Sequence, residues 1–392
     1  MPVPLLPSFL IAGFECSTPI NRDRRRIDEL ALTQHDRYVR TDYRLLKELG
    51  ILAARDGVRW NLVDQRGRLD FESVLPFIEA AEAEGITVLW DLFHYGYPDD
   101  LDPFDDEFIY RFADYCYAFA RLIRQRGDSV PFYTPVNEIS YFAWAGGEQG
   151  NFAPHQTGRG ADLKRQLARA CIAGCDAILA VDSRARFVHC DPLVYVVPPH
   201  DAPHLADEAN YFNYHFVHEA WDMIGGIKEP ELGGSPRHLD IVGINYYGHN
   251  QWEHQRPENI VGPGDPRHRP FGDLLQQVYA RYRRPLLVSE TSSHGEYRAS
   301  WLRDMGAECL RALHAGVELH GLCLYPVLDM FDWHDLSEPL GMGLFDLKPA
   351  ARDSTCWERV LHASMAEELR RFNATVTETL NGIYAKPALV RG

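Results

Sequence analysis

Eight short apolar, β-rich runs recur along the chain: FLIAGFEC (9–16), ILAARDGV (51–58), ITVLWDLFHY (86–95), VPFYTPVNE (130–138), ARFVHCD (185–191), LDIVGINYY (239–247), RPLLVSE (284–290) and LHGLCLYPVLD (319–329). Between them lie stretches with helical spacing, such as RIDELALTQHDRYVRTDYRLLKELG, FESVLPFIEAAEAEG, DEFIYRFADYCYAFARLIRQRG and ASWLRDMGAECLRALHAG, several closing on a glycine as a C-cap would. No Pro/Gly/Ser-rich linker or low-complexity segment interrupts the alternation. Eight strand–helix units in one unbroken series predict an α/β fold, a (β/α)8 TIM barrel, rather than two doubly wound sheets. The expected organisation is a single catalytic domain over residues 1–392. Its last helix is expected at 357–372. Residues 374–392 are read as a tail packed on the barrel or as a subunit contact, which leaves a homo-oligomer open.

Such a barrel has the core volume it needs, since 45% of the 392 residues are hydrophobic. A formal net charge of -16 gives no broad basic field for nucleic acid or an anionic membrane, so the expected partner is a small neutral molecule. No run reaches the roughly 18 apolar residues of a membrane span. The opening MPVPLLPSFLIAGFECS has no basic segment ahead of its apolar run, and the eight cysteines are scattered through apolar segments without CxxC pairs; a cytoplasmic chain with buried thiols is expected.

A barrel carries its active site at the carboxyl ends of its strands, so the polar residues that end each run become the candidates. These are Glu15 and Ser17, Arg55 and Asp56, Asp91 and His94, Asn137 and Glu138, Asn245 with Tyr246 and Tyr247, Ser289 and Glu290, and Asp329, Asp332 and Trp333. In FYTPVNEIS an apolar run ends in an amide and a carboxylate, a costly place for a charge unless it is paired or neutralised. Glu138 and Glu290 end the fourth and seventh runs, where they can face each other across the mouth. Two carboxyls about 5 Å apart would suit a retaining glycosidase, one protonating the leaving oxygen and the other attacking the anomeric carbon.

The ordered motifs GFECS, RDGVRW, FHYGYP, PVNE, GINYY, LLVSET, LDMFDW and MGLFDL, from about residue 12 to 347, resemble glycoside hydrolase family 1 and its clan of barrel hydrolases. The resemblance implies Glu138 as acid/base and Glu290 as nucleophile, with Asn137 on the sugar 2-hydroxyl, Arg55 beside the nucleophile and Tyr247 with Asn245 orienting it. His94 matches a histidine that binds a sugar hydroxyl. Asp332 and Trp333 fall where the family has Glu-Trp, a carboxylate for outer hydroxyls and an indole for the sugar face. Several positions depart from the pattern. The family's strand-one glutamine falls at Ile20, leaving Glu15 or Asn21 as replacements; its strand-three Trp-Asp is Tyr95-Gly96, and its strand-eight tryptophan is Tyr325. Trp144, on the loop after the acid glutamate, serves either a leaving group or loop packing.

The expected function is therefore that of a retaining, exo-acting β-glycosidase of β-glucosidase or β-galactosidase type, without cofactor or metal. HCD (189–191) and HEAWD (218–222) read as a strand end and a helix face rather than metal ligands, and HDLSEPLGMG after Trp333 lacks the cations a phosphosugar would want. The alternatives are a clan hydrolase acting on an arabinoside, a mannoside or an internal linkage, a non-catalytic sugar-binding barrel, and a metal-dependent isomerase.

Overall fold

The structure, a computed structural model, describes residues 4–351 and 355–385. Each of the eight runs supplies one parallel strand: β1 (Leu10–Gly13), β2 (Ala53–Gly57), β3 (Thr87–Asp91), β4 (Phe132–Thr134), β5 (Arg186–Pro192), β6 (Ile241–Asn245), β7 (Leu286–Thr291) and β8 (Leu319–Leu324). They pair in chain order, and β8 closes onto β1 through Leu10↔Leu322, Ile11↔Cys323 and Ala12↔Leu324. The main helices are α1 (His35–Glu48), α2 (Leu75–Glu84), α3 (Asp106–Arg126), α4 (Gly160–Val181), α5 (Glu219–Ile224), α6 (Phe271–Tyr282), α7 (Tyr297–His314) and α8 (Ala363–Ala385). Among the described residues, no helix is long and apolar enough to cross a membrane.

Side chains alternate across a strand, and that alternation builds two cores. Ile11, Ala53, Leu89, Phe132, Val188, Ile241, Leu287 and Cys323 form a cluster inside the barrel, while Leu10, Ala54, Val88, Tyr133, Phe187, Val242, Val288 and Leu322 pack outward with the helices. Two residues beyond the inward apolar layer the same face turns polar, at Arg55, Asp91 and Ser289. The plug of the barrel is thus the floor of a polar mouth.

Two expectations about helices are corrected. The stretch read as one helix before residue 50 breaks at Gln34, which takes the left-handed region (φ 59°) and whose side chain bonds the backbone of Thr355 and Trp357. The last helix does not start at Trp357. Trp357–Leu361 is a strand, β10, paired antiparallel with β9 (Phe345–Pro349), and α8 runs on to Ala385. Residues 374–385 continue that helix and pack on the barrel, because Phe372, Val376, Leu380 and Ile383 keep the helical spacing and meet the core. Residues 386–392 lie outside the described residues.

Candidate active site

Glu138 lies four residues past β4, its backbone in the left-handed region (φ 48°). A non-glycine residue there costs roughly 1–3 kcal/mol and persists only where its surroundings impose it. Here the amides of Asn137 and Glu138 are held by the carbonyls of Phe93 and Cys190, at 2.9 Å each. Glu290 reaches the mouth by a different device. Strict alternation would put it outward beside Val288, but the register against β6 shifts between Val288↔Ile244 and Glu290↔Asn245, re-aiming the strand end as bulges do.

Arg55 joins the strand ends. Its Nη1 donates to Glu290 Oε1 (2.9 Å) and the Ser289 carbonyl (2.8 Å), and its Nη2 donates to Asp91 Oδ2 (2.7 Å) and Asn137 Oδ1 (2.9 Å). With Asn137 Oδ1 fixed on the guanidinium, its Nδ2 points at His94 Nε2 (3.0 Å), and His94 Nδ1 faces Asp91 Oδ2 (3.2 Å) and Cys16 Sγ (3.3 Å). Tyr247 donates to Glu290 Oε2 (2.9 Å). Asn245 behaves otherwise than expected: its Nδ2 donates to Glu138 Oε1 (2.8 Å) and its Oδ1 accepts from Ser289 Oγ (2.6 Å), so it serves the other glutamate.

Glu138 and Glu290 are both buried, and their environments differ. Burial first, and the charge of Glu290 second, push the Glu138 carboxyl up to about 8. Burial also raises Glu290, but Arg55 opposes it most strongly and holds the carboxylate form. At neutral pH the proton of the pair belongs to Glu138.

Glu15 Oε1 sits 3.8 Å from His94 Nε2 and accepts from the Ser17 amide (3.0 Å), so it lies in the mouth beside the histidine. Ile20 is half-buried against the core, its backbone in a bridge with Arg26, and Asn21 organises its own loop while donating to the Trp333 carbonyl (2.8 Å). Tyr325 lies with its ring 5.1 Å from the Arg55 guanidinium; a Cβ on Gly13 would come within 1.9 Å of that ring, so the tyrosine depends on the glycine. Trp333 is half-buried, its indole donating to Ser17 Oγ (2.9 Å) and standing edge-on to Tyr95 (5.8 Å) and Phe152 (5.4 Å). Asp332 accepts from the amides of His334 (2.8 Å) and Asp335 (2.9 Å), which ties one of its oxygens into its own loop. Trp144, 48% exposed, extends this aromatic wall outward through Tyr141 (5.8 Å).

The sequence marks Asp91 only as a strand-end candidate without a role, and it proves to bridge Arg55 and His94; Tyr95 stands only as a departure from Trp-Asp, whereas its hydroxyl donates to Glu138 Oε2. Nothing local signals either link; both depend on which strand ends become neighbours. Cys16, Asp91 and His94 bring ligand atoms within 4.8 Å of one another, and Asp91 Oδ2 there already accepts from Arg55. His189 and His218 are core residues, the first bonded to Cys171 and the His238 carbonyl, the second packed on Trp221 and Tyr282. Trp60 is core, ringed by Phe108, Phe112 and Tyr115, and seven cysteines are buried.

Together these features define a class: a closed (β/α)8 barrel whose carboxyl-end mouth holds an acid pair, one member neutralised by burial and the other ionised by an arginine. Residues 13–187, somewhat under half of the chain, match the family Glycosyl hydrolase family 1. It is similar in structure to a beta-glucosidase from Thermotoga maritima solved with noeuromycin (TM-score 0.71, 16% identity, 95% of this chain and 99% of that one). The likeness to a family 1 β-glucosidase of the same organism is comparable (TM-score 0.72, 15% identity, 95% and 98% covered). In sequence it is similar to Putative myrosinase 6 of Arabidopsis thaliana, 30% identical over 142 residues, 33% of this chain and 28% of that protein. Beta-glucosidase 1 of Arabidopsis thaliana is 27% identical over 183 residues, 41% of this chain and 34% of that protein. The matched stretches thus span about a third of these relatives' length.

Proposed function

We propose that the protein is a retaining glycoside hydrolase that removes a terminal β-linked sugar by double displacement. The observation that carries this reading is the split of the two glutamates, Glu138 holding a proton at neutral pH and Glu290 ionised by Arg55 and Tyr247.

In the first step Glu138 gives its proton to the glycosidic oxygen while a Glu290 oxygen attacks the anomeric carbon. The bond to the leaving group breaks, an ester bond to Glu290 forms, and the leaving group departs as an alcohol. Glu138, now a carboxylate, then takes a proton from water as that water attacks the same carbon, and Glu290 leaves. Two inversions give retention. Asn137, oriented by Arg55, presents its Nδ2 as donor for the 2-hydroxyl, and Trp333 with Tyr95 forms the wall on which a sugar face packs.

The sugar is less constrained than the reaction. Ile20 offers no polar group at the family's glutamine position, Asp332 is engaged with its own loop, and Glu15 adds an acceptor beside His94, so the site favours a sugar other than glucose within the same reaction. The test is a panel of aryl α- and β-glycosides assayed with the wild type and with Glu290→Ala plus azide. Turnover of a β-glycoside, retention followed by NMR, and an α-glycosyl azide from the variant are expected; an inverted product would refute the mechanism.

A further inference from the structure

Tyr95 ends the turn after β3 in an unusual setting. Its backbone is left-handed (φ 66°), and the next residue is Gly96, where a Cβ would overlap the Thr18 hydroxyl at 1.7 Å. The chain accepts this strained turn and thereby carries the phenol fully into the mouth, where it is 2% exposed. There the ring is stacked on Phe142 (5.5 Å, 8°) and Phe152 (6.0 Å, 25°) and edge-on to Trp333, so it has little freedom to turn. Its hydroxyl donates to Glu138 Oε2 and accepts from Asn137 Nδ2 (3.4 Å).

We propose that Tyr95 is the positioning residue of the acid/base: its hydroxyl fixes the orientation of the Glu138 carboxyl and favours the form that has released its proton. The proposal rests on the assignment of Glu138 as acid/base. A donor aimed at a carboxylate stabilises the charged form. Glu138 must part with its proton in the first step, and with Asn245 on its other oxygen every hydrogen bond given to it favours that release. Of the other ionisable groups around it, Glu290 at the end of β7 and Asp191 on β5 oppose release through their charge, while Tyr141 after β4 and Tyr247 after β6 face it as neutral phenols, their own ionisation suppressed by burial. Tyr95 thus counterweights a site that otherwise drives Glu138 towards permanent protonation.

The decisive experiment compares wild type with Tyr95→Phe, which keeps the ring, and Tyr95→Trp, which supplies a different ring without the hydroxyl. The pH profile of kcat/KM on a β-glycoside is measured alongside the 13C titration of the Glu138 carboxyl, assigned with Glu138→Gln. Both variants are expected to move the basic limb and the carboxyl titration up by about one to two pH units. At pH 7 kcat/KM should fall roughly tenfold for poor leaving groups and stay unchanged for leaving groups that need no proton. Site-specific 3-fluorotyrosine at position 95, a stronger donor, should move both curves down. Curves that stay in place in the Phe variant, even with lower activity, would overturn the proposal, because ring packing alone would then explain the residue. If no glycoside is turned over by the wild type, the glycosidase reading falls, and the carboxyl titration still decides the role of Tyr95.

Discussion

Arg55 and Asp56 are neighbours on β2, equally buried, and they serve opposite purposes because strand geometry points one into the barrel and the other towards the helices. Asp56 is saturated. Its Oδ2 accepts from His35 Nε2 (2.9 Å) and Tyr43 (2.7 Å), its Oδ1 accepts from the Gly57 amide (2.8 Å), and His35 Nδ1 meets Asp42 (2.7 Å), which Arg359 holds in turn (2.8 Å). The Arg55 network is left incomplete. Arg55 Nε and Asp91 Oδ1 are buried without partners, the charge of Glu290 opposes ionisation of Glu138, and both Glu138 and Tyr95 sit in strained backbone. One cluster gives every carboxylate oxygen a partner and locks α1 to the barrel wall; the other keeps capacity for a ligand at the expense of stability.

The largest expected contrast comes from removing one carboxylate on each side. Glu290→Gln should lower kcat by about 10^4-fold or more, as loss of a covalent nucleophile does, with little loss of stability because Arg55 keeps Asp91 as its buried counter-charge. Asp56→Asn should leave kcat/KM of the folded enzyme unchanged and cost about 3 kcal/mol in urea unfolding, since the paired imidazolium of His35 loses half its counter-charge. A destabilised Glu290→Gln together with an inactive but stable Asp56→Asn would reverse the division of labour.

The two networks should also respond to different pH ranges. Activity requires Glu138 protonated, so kcat/KM should fall as pH rises through about 8. Stability depends on His35, raised to about 9: burial works against the imidazolium, but Asp56 and Asp42 outweigh it. A group raised on folding contributes its full share below its unfolded value and loses it as pH climbs through the folded one. About 3 kcal/mol should therefore be present at pH 6 and gone by pH 10, as measured by urea unfolding, and His35→Gln should flatten that dependence. Activity would then fade while the fold still holds.

The apolar runs alone located all eight strands, since each needs only local period and length, and they brought Arg55, Asn137, Glu138, Tyr247 and Glu290 to one mouth. What stayed illegible depends on partners distant in sequence. Asn245 was paired with the nucleophile from its place beside Tyr247, yet it turns to Glu138 because Ser289 holds its carbonyl. The break at Gln34 answers to a strand more than 300 residues away, and the run of α8 past Phe372 was masked by the polar residues between its core positions. Asp332 keeps the place of a sugar-binding carboxylate while its oxygen is spent on two amides of its own loop, a competition that short polar side chains often win.

The smallest expected effect is also the sharpest test, because the same chemical change can be made on each carboxylate. Tyr43 donates to Asp56 Oδ2 and Tyr247 to Glu290 Oε2, and in both cases a second donor, His35 or Arg55, remains. Tyr43→Phe removes a bond from a saturated cluster that does no chemistry, so it should cost about 1–2 kcal/mol of unfolding free energy and leave kinetics alone. Tyr247→Phe removes a bond that positions a nucleophile, so a similar free energy should surface in kcat/KM as roughly a tenfold loss, with little change in stability. If instead the two variants moved stability and activity in the same proportion, the mouth and the wall would form one coupled network through β2, and the different directions of Arg55 and Asp56 would not separate function from fold.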